Sequence, residues 1–131
     1  MIYLDSNVFI YAAINTQEPG EKARSLLQRI QQGDEKAETS ALTFDEVFWA
    51  IKKLDSEAAL EACQALLNFP NLEIISADRD LALSALQIIK EHHLAPRDAI
   101  HAATAIAAKA EAVVSTDTHF DRIKELKRRS L

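Results

Sequence analysis

The chain has a single cysteine, two glycines and three prolines in 131 residues. Each scarcity excludes something. One cysteine, Cys63, cannot form an intramolecular disulfide or a multi-cysteine zinc cluster, so a reducing compartment is expected. So few glycines and prolines leave no linker, and no repeat or low-complexity tract interrupts the chain. No apolar run approaches the roughly 20 residues of a membrane span. The start lacks the basic segment of a secretory signal, and Asp5 breaks the apolar stretch there. A soluble, cytoplasmic protein without membrane association is the expectation. A surplus of positive charge is also missing: 15 Lys and Arg face 20 Asp and Glu. That balance argues against a nucleic-acid binder that relies on a basic surface.

What is present is a core-forming composition, 48% hydrophobic, sufficient for one domain spanning 1–131. Strand-like and helix-like segments alternate. "IYL" leads to helical "NVFIYAAI", and loop "NTQEPG" to helical "EKARSLLQRIQQ". "AETSA" reads as a short strand before the amphipathic "LTFDEVFWAIKKL"; a helix, "SEAALEACQALLNF", then ends at Pro70. "LEIIS" is strand-like, "RDLALSALQIIKEHH" helical, and Pro96 opens the helix "PRDAIHAATAIAAKA". "AVVST" reads as a strand and "THFDRIKEL" contains a short helix. The alternation predicts an α/β domain with a mainly parallel sheet.

Carboxylates recur where such a sheet places its functional edge. Asp5 follows the first strand, and ligands of open α/β sheets bind beyond the carboxyl ends of strands. Alone, Asp5, Ser6 or Asn7 reads first as a helix cap. Asp117 ends a second strand in "VVSTD", and Asp98 lies in the first turn after Pro96. There an acid complements the helix dipole, worth about 0.3–1 kcal/mol. The alanines that follow, Ala99, Ala102, Ala103, Ala105, Ala107 and Ala108, permit close packing of that helix on the sheet. Asp45 and Glu46 both flank the stripe of Phe44, Val47, Phe48, Ile51 and Leu54, and the helical wheel does not choose between them.

The stretches "YLDSNVFIY", "SALTFDEVFWAIKKL", "PRDAIHAATAIAAKA" and "VVSTDTHFDRI", in that order, resemble the PIN domain, particularly the VapC-type ribonuclease toxins. The resemblance covers essentially the whole chain. It implies a four- to five-stranded, mainly parallel sheet with helices on both faces. It also implies a site of Asp5, Glu46, Asp98 and Asp117, choosing Glu46 over Asp45, with Asn7 and Ser115 orienting carboxylates or waters. Asp121 has a counterpart near the site in some relatives and otherwise serves a helix turn. Two departures stand: the segment after the last clear strand is short for a fifth strand, and no glycine precedes that strand.

Four neighbouring carboxylates repel one another and raise their pKa values, a conflict that divalent cations relieve. Oxygen donors favour Mg²⁺ or Mn²⁺ over zinc. The implied activity is metal-dependent hydrolysis of RNA to 5′-phosphate and 3′-hydroxyl ends. Setting the four acids aside leaves 16 acids against 15 bases. The implied partners are RNA, a cognate antitoxin that inserts a basic side chain into the acidic pocket, and a second copy in a homodimer. Trp49 and "SEAALEACQALLNF" offer the apolar surface for docking, although core packing explains most of those residues equally well, Cys63 included.

Competing readings are weaker. His92 and His93 are adjacent and face apart on a helix, while His101 and His119 follow Asp98 and Asp117 without zinc-ligand spacing. Trp49 suits stacking on a base less well than an interface or partial core. The basic tail "RIKELKRRSL" reads as a solvated end. A phosphoacceptor receiver domain needs paired acids after its first strand and a lysine after its last, and neither is present. A housekeeping RNA-processing nuclease of the same type and a non-catalytic PIN-like binding module complete the alternatives.

Overall fold

A computed structural model describes residues 1–131. A parallel five-stranded sheet runs in the order β3-β2-β1-β4-β5. The strands are β1 (Ile2–Leu4), β2 (Ala37–Ser40), β3 (Leu72–Ile75), β4 (Val113–Val114) and β5 (Arg128–Arg129). Six helices connect them: α1 (Ser6–Ile14), α2 (Glu18–Gln31), α3 (Leu42–Lys52), α4 (Ser56–Leu67), α5 (Arg79–His92) and α6 (Pro96–Ala107). A 3₁₀ turn, Thr118–Arg122, follows β4. No helix is long and apolar enough to cross a membrane.

The pleat of β1 divides the core in two. Ile2 and Leu4 join Val8, Phe9, Leu26, Ile30, Val47, Ile51 and Cys63 beneath α1–α4. Tyr3 points the other way, to the α5–α6 side with Ala99, Ala102, Val113, Phe120 and Ile123. Both faces are therefore covered, as a parallel sheet requires. From β1 the chain moves outward to β2 and β3, then returns to place β4 on the opposite side of β1. The carboxyl ends of β1 and β4 thus flank the topological switch point, where the strand order opens a crevice.

Three local expectations need correction. Helix α2 begins at Glu18, inside the segment read as loop. Pro19 lies in its first turn, where a missing N–H costs nothing. Gly20 follows because a Cβ there would sit 1.9 Å from the Asn15 carbonyl oxygen. Asn15 binds this corner further, its Oδ1 accepting from the N–H groups of Gln17 and Gly20 and its carbonyl from Arg24. Gly20→Ala should therefore lower the melting temperature by roughly 8 °C, a net loss of about 2 kcal/mol once the better helix propensity of alanine is counted. An unchanged thermal midpoint would show that the corner relaxes without cost.

The fifth strand does form, and the basic tail is not a solvated end. Arg128 and Arg129 pair in parallel with Val113 and Val114. Their charges are accommodated by Asp121 at 2.9 Å and Glu35 at 2.7 Å. The apolar stripe of α3 is also narrower than its spacing suggests. Val47 and Ile51 are buried and Phe48 is partly buried, whereas Phe44 and Leu54 are exposed.

Candidate active site

Each functional side chain is placed by an element end. Asp5 leaves β1 and caps α1, its Oδ1 accepting from the Ser6 N–H at 2.8 Å. Its Oδ2 simultaneously accepts from the Ser115 hydroxyl at 2.6 Å, so capping and membership of the site coexist. Ser115, fully buried just past β4, is a junction. Its Oγ also accepts from the Asp117 N–H at 2.9 Å and from the Asn7 amide at 3.4 Å. Asn7 donates to Thr116 Oγ1 at 2.8 Å as well, which ties α1 to the segment after β4.

Asp117 caps the 3₁₀ turn through the His119 N–H. Asp98, in the first turn of α6, comes beside it. Ligand atoms of Asp98, Asp117 and His119 all lie within 4.8 Å of one another. His119 Nδ1 is 3.1 Å from Asp117 and 3.6 Å from Asp98, with its ring half exposed.

Glu46 reaches the same crevice from α3 and touches His101 Nε2 on α6. His101 Nε2 also lies 3.5 Å from Asp5 Oδ1. Asp45 instead sits at the surface near Arg97, 4.0 Å away. The structure thus separates the two acids that the helical wheel left equivalent. Asp121 is held by Arg128, which also donates to the Ser115 carbonyl at 3.1 Å. It therefore acts on the strand behind the crevice and does not join the carboxylates. The remaining histidines are elsewhere: His92 lies beside Glu91, and His93 ends α5 in the left-handed conformation with φ 56°.

Electrostatics follow from this crowding. Burial pushes the Asp5 carboxyl above its ordinary value, against the pull of His101, Ser115 and Ser6, and Glu46 adds to the rise. Asp98 is raised by burial, then by the charges of Asp117 and Asp5. For His101, burial disfavours the charged ring, but the Glu46 hydrogen bond and the charges of Asp5, Glu46 and Asp98 prevail and its pKa rises. Asn7 contributes a buried Oδ1 that has no hydrogen-bond partner. Oxygen donors, mutual repulsion and an unsatisfied acceptor together fit a hard divalent cation, which would supply the missing positive charge.

The sequence named Asp5, Glu46, Asp98, Asp117, Asn7 and Ser115, and the structure gathers all of them at one end of the sheet. It left His101 undecided between touching the site and packing beside it, and gave Tyr3 no role. A signal existed: His101 is the one imidazole among the small residues of α6, three residues after Asp98.

The architecture has close parallels. VapBC of Rickettsia felis, solved bound to a DNA fragment from their promoter, superposes with a TM-score of 0.77 at 21% identity, covering 99% of this chain and 98% of that one. The sarcin–ricin-loop-cleaving VapC toxin of Mycobacterium tuberculosis gives 0.77 at 14% identity, with coverage of 92% and 93%. A toxin–antitoxin complex from Klebsiella pneumoniae gives 0.72 at 23% identity, with coverage of 96% and 95%. At these identities the likeness shows the fold. A search of curated protein sequences finds no match. The family model of the PIN domain, however, matches residues 2–126, so the chain belongs to the PIN domain family.

Proposed function

We propose that the protein is a Mg²⁺- or Mn²⁺-dependent endoribonuclease, the toxin of a toxin–antitoxin pair. The observation that supports this reading is the crevice beyond β1 and β4 of a PIN-domain sheet, where ligand atoms of Asp98 and Asp117 lie within 4.8 Å of each other and Asp5 and Glu46 approach the same His101 nitrogen. PIN domains form a nuclease family, and one of the similar folds is a sarcin–ricin-loop-cleaving toxin.

Asp5, Glu46, Asp98 and Asp117 would hold the metal, with Asn7 Oδ1 available to a bound water. A divalent ion held there would neutralise the scissile phosphate, acidify an attacking water and stabilise the leaving oxygen. The protein's own part is to fix donor positions. Ser115 orients Asp5 and the Asp117 backbone together, and Asn7 locks that pair to α1. His119 stands half exposed beside Asp117, at the solvent side of the cluster. Its imidazole can donate to a phosphate oxygen there.

The wider surface does not supply a strong basic track. The clefts between α2 and β5 contain Lys22, Arg29, Arg128 and Arg129, of which Lys22, Arg128 and Arg129 meet Glu18, Asp121 and Glu35 and Arg29 reaches only the Ser25 hydroxyl. Phosphate binding therefore falls chiefly to the metal-loaded site. An apolar groove lined by Phe9, Ala12, Leu27, Val47, Leu66 and Phe69 lies among α1–α4, and Trp49 and Leu60 are exposed on α3 and α4. It suits the apolar face of an antitoxin segment, consistent with the complexes among the similar folds.

The test is cleavage of transfer and ribosomal RNA by purified protein, followed by sequencing of the ends. Cleavage is expected with Mg²⁺ or Mn²⁺, with 5′-phosphate products, and is expected to vanish in excess chelator. Robust cleavage in chelator would overturn the metal-dependent reading. Expression in cells should arrest growth, and co-expression of an adjacently encoded small protein should relieve the arrest. An active enzyme that is harmless when overproduced would point to housekeeping RNA processing.

A further inference from the structure

We infer that His101 is a positioning residue: its Nε2–H orients the Glu46 carboxylate beside Asp5, and Tyr3 holds the ring in that pose. The inference rests on the proposed metal site and concerns a layer beneath it that the nuclease reading does not require. His101 has no exposed surface, yet both ring nitrogens have partners. Nε2 faces Glu46 Oε1 from α3, with Asp5 Oδ1 3.5 Å away. Nδ1 lies 2.6 Å from Tyr3 Oη. Tyr3 is equally buried and accepts the Ser40 N–H at 3.1 Å.

The path therefore runs from the backbone at the end of β2, through a phenol on β1 and an imidazole on α6, to a carboxylate on α3. Each link is fixed at both ends. Tyr3 Oη accepts from the Ser40 N–H and keeps its own hydrogen and a second lone pair for His101 Nδ1. Nε2 faces carboxylate oxygens, which accept, so it carries the proton that meets Glu46. The edge contact between the rings, 5.7 Å between centroids at 66°, keeps the imidazole plane from turning. Without it, Glu46 would have one long side chain on α3 and no buried partner to select its rotamer.

A histidine that only fills space predicts something different: an apolar side chain of similar size would serve as well. The relay predicts that metal affinity depends on the Nε2 donor. Hydrogen-bonded partners of ligating groups typically affect metal affinity by roughly 10–100-fold.

The experiment measures Mn²⁺ alone, by calorimetric titration of full-length wild type, His101→Gln, His101→Leu and Tyr3→Phe. His101→Gln, which retains an N–H at the Nε2 end, is expected to bind Mn²⁺ within about threefold of wild type; His101→Leu is expected to lose roughly 10–100-fold. Tyr3→Phe, which keeps the ring and loses Oη, should fall between them. In parallel, ¹⁵N spectra of the wild-type imidazole should show a protonated Nε2. An unprotonated Nε2 overturns the proposal whether or not any variant folds. Wild-type Mn²⁺ affinity in both His101→Leu and Tyr3→Phe overturns it alone, whereas absence of Mn²⁺ binding by the wild type overturns it together with the nuclease reading.

Discussion

Asp5→Asn should abolish RNA cleavage while leaving the metal-free protein as stable as the wild type or more so. The two halves of this result have one cause. Asp5 is buried and its carboxyl is raised above the ordinary value of 3.8, first by burial and further by Glu46. Asp98 is raised in the same way, with Asp117 and Asp5 contributing. A folded pKa above the unfolded one means that the folded state holds its proton more tightly. The associated stability is present at low pH and is lost as pH rises through the folded value. His101 shifts upward too, so its contribution has the same sign. Metal-free wild type should accordingly lose stability as pH rises from about 4 towards neutrality, and Asp5→Asn should flatten that fall. Asparagine keeps the shape and can still cap α1 through its one oxygen, but its amide gives up the acceptor that Ser115 uses, so relief of the repulsion must at least offset that lost hydrogen bond.

Activity responds in the opposite sense. If the bound ion supplies several kcal/mol of transition-state stabilisation, loss of a ligand should reduce cleavage by roughly 1000-fold. The thermal gain on adding Mn²⁺ should shrink as well, from about 2.7 kcal/mol at a hundred times the dissociation constant towards zero. Melting curves across pH, with and without Mn²⁺, run beside a cleavage assay, check both halves. A variant that cleaves normally and keeps the full metal-induced shift would reduce Asp5 to a helix cap.

Ser115→Ala is the second large effect, and it separates orientation from ligation. The hydroxyl donates to Asp5 Oδ2 and accepts from the Asp117 N–H, so one deletion loosens two strand ends together. The hydroxyl is fully buried, and no water replaces it without space. The loss of a charge-assisted hydrogen bond should destabilise by about 1.5–3 kcal/mol. Mn²⁺ affinity should fall roughly 10–100-fold, since Asp5 and Asp117 retain their oxygens but lose their shared anchor. Excess Mn²⁺ should therefore restore much of the cleavage by Ser115→Ala and none of that by Asp5→Asn. Equal rescue of both, or of neither, would contradict the distinction. The measurement is a cleavage rate against metal concentration for the two variants.

Much of this was legible in the sequence because local physics and tertiary placement agree. Ile2, Tyr3 and Leu4 are a buried strand, and a polar residue at its carboxyl end falls at the functional edge wherever the sheet is parallel. Pro96 and the alanines after it set the start and the close packing of α6. Glu46 was not separable from Asp45 on the helical wheel, because both flank the same stripe. Only the position of α6, with His101 on one acid and Arg97 near the other, distinguishes them.

Where sequence reasoning fell short, the deciding contact is made by the folded chain, within a few residues at one corner and across more than ninety elsewhere. Gly20 looks like a loop residue until the Asn15 carbonyl is found against it. Arg128 and Arg129 look like a solvated tail, yet Asp121 and Glu35 make a charged pair of residues acceptable in a strand. Tyr3 and His101 each read as core, and they are core. Their 2.6 Å contact joins residues 98 positions apart, and no local pattern announces it.

The most direct measurement is an anomalous difference map from crystals of the wild-type protein soaked in Mn²⁺. The account predicts a peak within direct bonding distance of Asp5, Asp98 and Asp117 carboxylate oxygens, about 2.0–2.2 Å, between the ends of β1 and β4. No peak there at saturating Mn²⁺, or a peak bound only by residues outside this cluster, would contradict it.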